Sequence, residues 1–160
     1  MESVIVFYSI GVEYGTYSSG VAPEDGTGIT PVKKMKHEDL THKIISCAYT
    51  VYNTLGFGFI ESIYKKGMVI ELTKSSIKVE EEKPLKVYYG NQVAGDFYID
   101  LLVENEVVIE LKSVENLSKI HEVQLVNYLN GMKNEIGLLI NFGLGGVEVK
   151  RKYRKTLKQD

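Results

Sequence analysis

Several kinds of residue are scarce in this 160-residue chain, and each scarcity excludes something. A single cysteine, Cys47, permits neither an internal disulfide nor a Cys-based zinc site, which fits a reducing compartment and a cytoplasmic location. Neither a zinc-ligand spacing nor a Ser-His-Asp arrangement stands out. The longest leading apolar run, Val4 to Ile10, is far short of the roughly 20 residues needed to span a bilayer. It also lacks the basic flank of a secretory signal, so no membrane association is expected. Gly56-x-Gly58 follows a helix and has no third glycine, and Gly143-Leu-Gly-Gly146 lacks a following Lys-Ser/Thr, so neither reads as a nucleotide loop. Charge of one sign is scarce as well: the formal net charge is −2, against nucleic acid held mainly through a basic surface. What remains, 44% hydrophobic and 25% charged, is the composition of one ordinary globular domain with a packed core.

The charge is unevenly distributed. Residues 1–32 hold four acids and no Lys or Arg, so the other 128 residues carry 19 basic and 17 acidic groups, a net of +2. The leader is rich in Gly, Ser, Thr and Tyr after its apolar start, and Pro23 to Pro31 reads as a loop or linker. Residues 1–34 are therefore expected to be an appendage, either flexible or docked as a lone strand from 4–10, with the compact domain over 35–153. Residues 154–160 would form a basic tail, continuing a run from Lys150 that places six positive groups in nine positions. Such a run is usually solvated, although it could touch phosphate.

Periodicity within the domain predicts helices near 40–55, 59–75 and 118–130, the first carrying Leu40, Ile44, Cys47/Ala48, Val51 and Leu55 on one face. Cys47 belongs to that core stripe. Strands are expected at Ile77–Glu82, Leu85–Tyr89, Val93–Val103, Val107–Lys112, Glu135–Phe142 and Val147–Tyr153, with turns at Lys83-Pro84, Gly90-Asn91, Glu104-Asn105-Glu106 and Gly143–Gly146. The order ααββββαββ is an α+β layout with helices packed on a mixed sheet.

The chemistry concentrates in one hairpin. Residues two apart on a strand share a face, so Glu110 and Lys112 point the same way. A tight hairpin centred on Asn105 would place Asp100 across from Glu110. Two neighbouring carboxylates repel and are costly to desolvate. A hard divalent cation removes that conflict, since Mg²⁺ is typically held by one or two carboxylates together with waters and substrate phosphates. Lys112 could then orient or deprotonate an attacking water, or stabilise charge on a phosphate. The bland alternative is a same-face ion pair on an exposed sheet. It is weakened by the near-continuous apolar runs 99–103 and 107–109, which suit a buried central strand pair.

Asp100, then about ten residues, then Glu110-Leu-Lys112 resembles the PD-(D/E)xK nuclease superfamily. Upstream, Gly58-Phe-Ile-Glu61-Ser-Ile-Tyr64 resembles the GxxExxY family within it. Tyr88-Tyr89-Gly90, Gln124-Leu-Val-Asn-Tyr128-Leu129 and Gly137-Leu-Leu-Ile-Asn-Phe142 extend the match over roughly residues 36–152, leaving the leader without a counterpart. The resemblance implies a restriction-endonuclease-like αβββαβ core with Mg²⁺, or Mn²⁺ as substitute, held by Asp100 and Glu110. Glu61 would add a carboxylate, Lys112 would take the lysine role, and Gln124 would lie beside the site. Ile99 stands where the pattern has proline, at a loosely kept position. The function so implied is metal-dependent phosphodiester hydrolysis, on DNA ahead of RNA; a catalytically inactive binding or assembly module of the same fold is the alternative. A homodimer is left open.

Other residues have competing readings. Glu61 in a first helical turn also suits the helix dipole. Tyr64, one turn on, suits packing better than chemistry. Gln124 and Tyr128, one turn apart, either face the sheet or satisfy local polar groups. His121 is either a solvated surface histidine or a phosphate or water contact.

Overall fold

The computed structural model describes the backbone of Ile5–Val6 and residues 37–154. The remainder of the expected appendage and the end of the basic tail lie outside the described residues. The elements run β1 (Ile5–Val6), α1 (Glu38–Leu55), α2 (Glu61–Lys74), β2 (Val79–Tyr89), β3 (Gln92–Val103), β4 (Val107–Lys112), α3 (Lys119–Met132), β5 (Ile136–Gly143) and β6 (Gly146–Tyr153). This is an α+β fold with a restriction-endonuclease-like core. Its six-stranded sheet has the order β1-β6-β5-β4-β3-β2. Only β4 and β5 pair in parallel, joined by the α3 crossover; every other neighbour is antiparallel. Parallel pairing needs such a crossover, because a short turn cannot return the chain in the same direction.

Helices cover both faces. On one, Ile44, Ala48 and Val51 of α1 and Tyr64, Met68 and Leu72 of α2 pack on Leu101, Ile109, Leu111, Leu138 and Ile140. On the other, Leu125, Tyr128 and Leu129 of α3 pack on Leu102, Val108 and Leu139. With apolar layers on both sides, β5 is buried along its whole length and β4 up to Lys112. That double burial explains their uninterrupted hydrophobic sequences. Gly67 allows α2 to approach α1, since a Cβ there would lie 2.8 Å from a Val51 methyl.

The break expected at Lys83-Pro84 is absent, so the run between α2 and α3 holds three strands instead of four. Pro84 pairs with Tyr98 inside the single strand β2. Proline is tolerated on such an edge strand, where alternate N–H groups point away from the ladder.

Candidate active site at the β3–β4 hairpin

The hairpin forms through Glu104 and Asn105, both with left-handed backbones (φ 51° and 57°), and sets Leu101 opposite Ile109. Asp100 and Glu110 are the next residues on the two strands beyond this last pair. Here the regular alternation of β3 fails. Ile99 and Leu101 are both fully buried and two residues apart, yet Ile99 packs under α3 while Leu101 packs under α1 and α2. In β2, Glu82 lies between the residues paired with Leu101 and Ile99 and has a positive φ of 49°. The sheet is thus locally irregular at Asp100, and such irregularities re-aim a side chain. The Asp100 carboxylate turns to the end of β4, where its Oδ2 accepts the Leu111 N–H at 2.9 Å and its Oδ1 lies 3.5 Å from Lys65 Nζ.

Glu110 is 4% exposed, and its Oε1 accepts from Lys112 Nζ at 2.7 Å. Burial, then the negative charges of Asp100 and Glu61, push its pKa up to about 7, against the pull of Lys112. Burial also raises Glu61, with Asp100 adding to the effect while Lys112 and Lys65 oppose it. Burial works against the Lys112 cation, but its hydrogen bond to Glu110 and the charges of Glu110, Glu61 and Asp100 outweigh that and raise its pKa. Burial is the largest single influence on all three groups, at a site where the charges of Glu61, Asp100 and Glu110 all act on Lys112.

The start of α2 is held by Tyr64. Its hydroxyl donates to the Gly56 carbonyl at 2.6 Å and accepts from the Phe59 N–H at 3.4 Å, and its ring stacks on Phe142 with centroids 4.4 Å apart. Gly56 and Gly58 supply the positive φ values of this connection, 74° and 110°. Ser113, immediately after Lys112, donates to the Phe59 carbonyl at 2.8 Å, tying the end of β4 to the same loop. Asn141, 1% exposed, accepts the Val114 N–H and donates to the Val114 carbonyl, both at 2.9 Å. These contacts fix the Glu61-bearing helix and the Lys112-bearing strand end against each other.

The structure brings Asp100, Glu110 and Lys112 together at the end of β4, and Glu61 acts on them through its charge. Gln124 does not contact the carboxylates directly: its Nε2 donates to the Tyr128 hydroxyl at 2.6 Å. Burial raises the Tyr128 pKa, with Glu110 and Asp100 adding to the effect. His121 has a structural task, since its Nδ1 accepts the Ser118 N–H at 3.2 Å in a capping box. Burial and the nearby Lys112 cation lower its pKa. Sequence reasoning missed Lys65, which bridges Asp100 and Glu82 at 3.5 and 3.0 Å. Its signal was the Glu61-to-Lys65 spacing of one helical turn, which puts both on one face of α2.

Among the described residues, no three His, Cys, Asp or Glu side chains gather closely enough to form a metal cluster by themselves. The oxygen donors of Asp100 and Glu110 nevertheless suit a hard cation that takes one or two protein carboxylates. Burial, with Asp100 and Glu61 adding to it, disfavours an uncompensated charge on Glu110, a cost that a bound cation would offset, so the residues present fit Mg²⁺.

A model of the PD-(D/E)XK nuclease superfamily matches residues 38–154, and the chain belongs to that superfamily. Among solved structures, a crystal structure of SSO0001 is similar at 20% identity and a TM-score of 0.49. The match covers 76% of this chain and 61% of that one, so the chain spans about three-fifths of that protein's length. No curated protein matches the chain. Among the described residues no helix is long and apolar enough to cross a membrane.

Proposed function

We propose that the protein is a Mg²⁺-dependent nuclease that hydrolyses phosphodiester bonds, with DNA the leading substrate and RNA the second, and that it is of the GxxExxY type. The observation that carries this reading is the gathering of Asp100, Glu110 and Lys112 at the end of β4, where the Asp100 Oδ2 accepts the Leu111 N–H at 2.9 Å and the Glu110 Oε1 accepts from Lys112 Nζ at 2.7 Å. Asp100 and Glu110 would hold the ion, Mn²⁺ serving as substitute, and Glu61 would add negative charge from the start of α2. A bound ion would supply Lewis-acid stabilisation of the scissile phosphate. Lys112 orients the attacking water and offsets charge on the phosphate, with its ammonium anchored by Glu110. Lys65 holds the Asp100 carboxylate in place, and Gln124 fixes the Tyr128 hydroxyl at the edge of the site.

The absence of a three-ligand cluster among the described residues favours a second reading, a binding or assembly module that retains the fold without catalysis. Calorimetric titration with Mg²⁺ and Mn²⁺, together with cleavage assays on DNA and RNA, separates the two. Binding and cleavage by the wild type, both lost in Asp100→Ala and cleavage lost in Lys112→Ala, is the result expected. Equal cleavage by all three proteins, or no binding of either ion, would sink the nuclease assignment.

A further inference from the structure

Beside the candidate active site, α3 and the β2–β3 hairpin enclose an open groove of about 870 Å³. That lies in the upper part of the roughly 300–1,000 Å³ range of organic ligand pockets. Its polar members are cationic or neutral: Lys86 and Lys133 border it, Asn127 faces it, and no lining residue is acidic. Its aromatic members are Tyr88, Phe97 and Tyr128. Tyr88 is 61% exposed and Phe97 45% exposed, whereas Tyr128 is buried and lies 5.7 Å from the Phe97 ring. A bulge between Val87 and Tyr88 interrupts the β2–β3 register at the place where both residues border the groove.

We propose that this groove holds unpaired nucleotides of a single-stranded nucleic acid, stacking bases on Tyr88 and Phe97 and placing phosphates against Lys86 and Lys133. Exposed aromatic faces combined with cations are the chemistry of sequence-tolerant single-strand binding. The lack of lining acids matches a polyanion, and the amide of Asn127 offers both a donor and an acceptor to base edges. The groove also borders the surroundings of the site through Tyr128 and Gln124. Tyr128 forms part of its wall, and the charges of Glu110, Lys112 and Asp100 reach that hydroxyl. A strand lying in the groove would thus lead its backbone to the hairpin carboxylates. This inference rests on the proposed nuclease reading and narrows its substrate to one with a single-stranded segment.

The test is fluorescence anisotropy of the full chain in EDTA, which separates binding from cleavage. The probes are labelled 12-mer dT, 12-mer rU and a 12-bp DNA duplex. Tyr88→Ala and Phe97→Ala should each weaken single-strand binding about tenfold or more, and change duplex binding by less than about twofold. Phe97→Tyr should retain wild-type affinity, which separates lost stacking from lost folding. Lys86→Ala and Lys133→Ala should each flatten the salt dependence of single-strand binding by about 0.7 in log–log slope. The dT and rU arms decide between DNA and RNA as the source of the strand. Unchanged affinity in both aromatic variants, equal losses for duplex and single strand, or no single-strand binding by the wild type would overturn the groove assignment. Cleavage by the wild type with Mg²⁺ is scored separately. If cleavage is absent but the groove variants still lose single-strand binding, the nuclease reading fails and the groove stands. If cleavage is present and the groove variants bind normally, the reverse holds.

Discussion

Two groups of partly buried glutamates and lysines lie near α3, and they shift their central glutamate in opposite senses. At the hairpin, burial, with Asp100 and Glu61 adding to it, raises the Glu110 pKa to about 7 against its one hydrogen-bonded lysine. At the β6 side of α3, Glu122 accepts from both Lys150, at 2.9 Å, and Lys152, with Lys119 3.6 Å away. Burial raises the Glu122 pKa, but its lysine hydrogen bonds and their charges outweigh that and lower it to about 2. The same residue types therefore make a lysine-rich ion-pair network around one glutamate and a buried site with a single hydrogen-bonded lysine around the other. A sequence motif of Glu and Lys does not by itself distinguish the two. The depth of burial and the number of lysines that reach the carboxylate do.

The largest effect should come from breaking the hairpin group. Asp100→Ala, Glu110→Ala and Lys112→Ala should each lower Mg²⁺-dependent cleavage by about 100-fold or more, as removing a metal ligand or an electrostatic stabiliser does. Glu122→Gln should leave cleavage within a few-fold of wild type. Initial rates on one labelled substrate check both. A comparable loss in Glu122→Gln would erase the functional distinction between the groups.

Cation binding sharpens the contrast next. Mg²⁺ or Mn²⁺ at roughly 100 times Kd should stabilise the wild type by about 2–3 kcal/mol. Glu122→Gln should keep this gain, and Asp100→Asn should lose it. The sign with pH follows from Glu110. Its folded pKa lies above the usual 4.5, so its contribution to stability is fully present below about 4.5 and is lost as pH rises through about 7. A cation that relieves this loss should stabilise more at pH 8 than at pH 5. Thermal melts across that range provide the measurement, and a gain that shrinks with pH would contradict a cation held by the buried Glu110 carboxylate.

Glu122 has the opposite sign. Its folded pKa lies below 4.5, so its contribution is present above that value and lost as pH falls toward 2. Glu122→Gln should destabilise the fold by about 2–3 kcal/mol at pH 7, with the difference from wild type disappearing near pH 2. Denaturant unfolding at several pH values tests this. No loss at pH 7 would mean that the two lysines cost as much to bury as the pairing returns.

What could be read in advance follows the range of the interactions involved. Helix periodicity and apolar runs are local, and α1, β4 and α3 lie close to where the residues place them. The nearness of Asp100 to the end of β4 is local too, because a short hairpin fixes its own register. Pro84 misled because its meaning depends on whether the strand is an edge, which sequence spacing does not show. Lys65 was missed for a related reason: it reaches Asp100 across 35 positions, through packing of α2 on the sheet. The groove was hidden too, since Tyr88 and Phe97 meet α3 only after the crossover folds back.

The smallest expected effect concerns how the hairpin group is held together. Tyr64 is fully buried, and its hydroxyl joins the Gly56 carbonyl to the Phe59 N–H across the turn that starts α2. Tyr64→Phe keeps the ring stacked on Phe142 but leaves both backbone groups without that partner. A loss of about 1 kcal/mol in stability is expected from the hydrogen bonds. The Lys112 end of β4 is anchored to the same loop through Ser113 and the Phe59 carbonyl, so relaxing the turn shifts Glu61 relative to Lys112. Cleavage should therefore fall several-fold while the pH response of the Glu122 network stays as in the wild type. Parallel unfolding and rate measurements on Tyr64→Phe check this. A variant that lost stability but kept full activity would show that Glu61 does not need the tyrosine clamp to act on the hairpin.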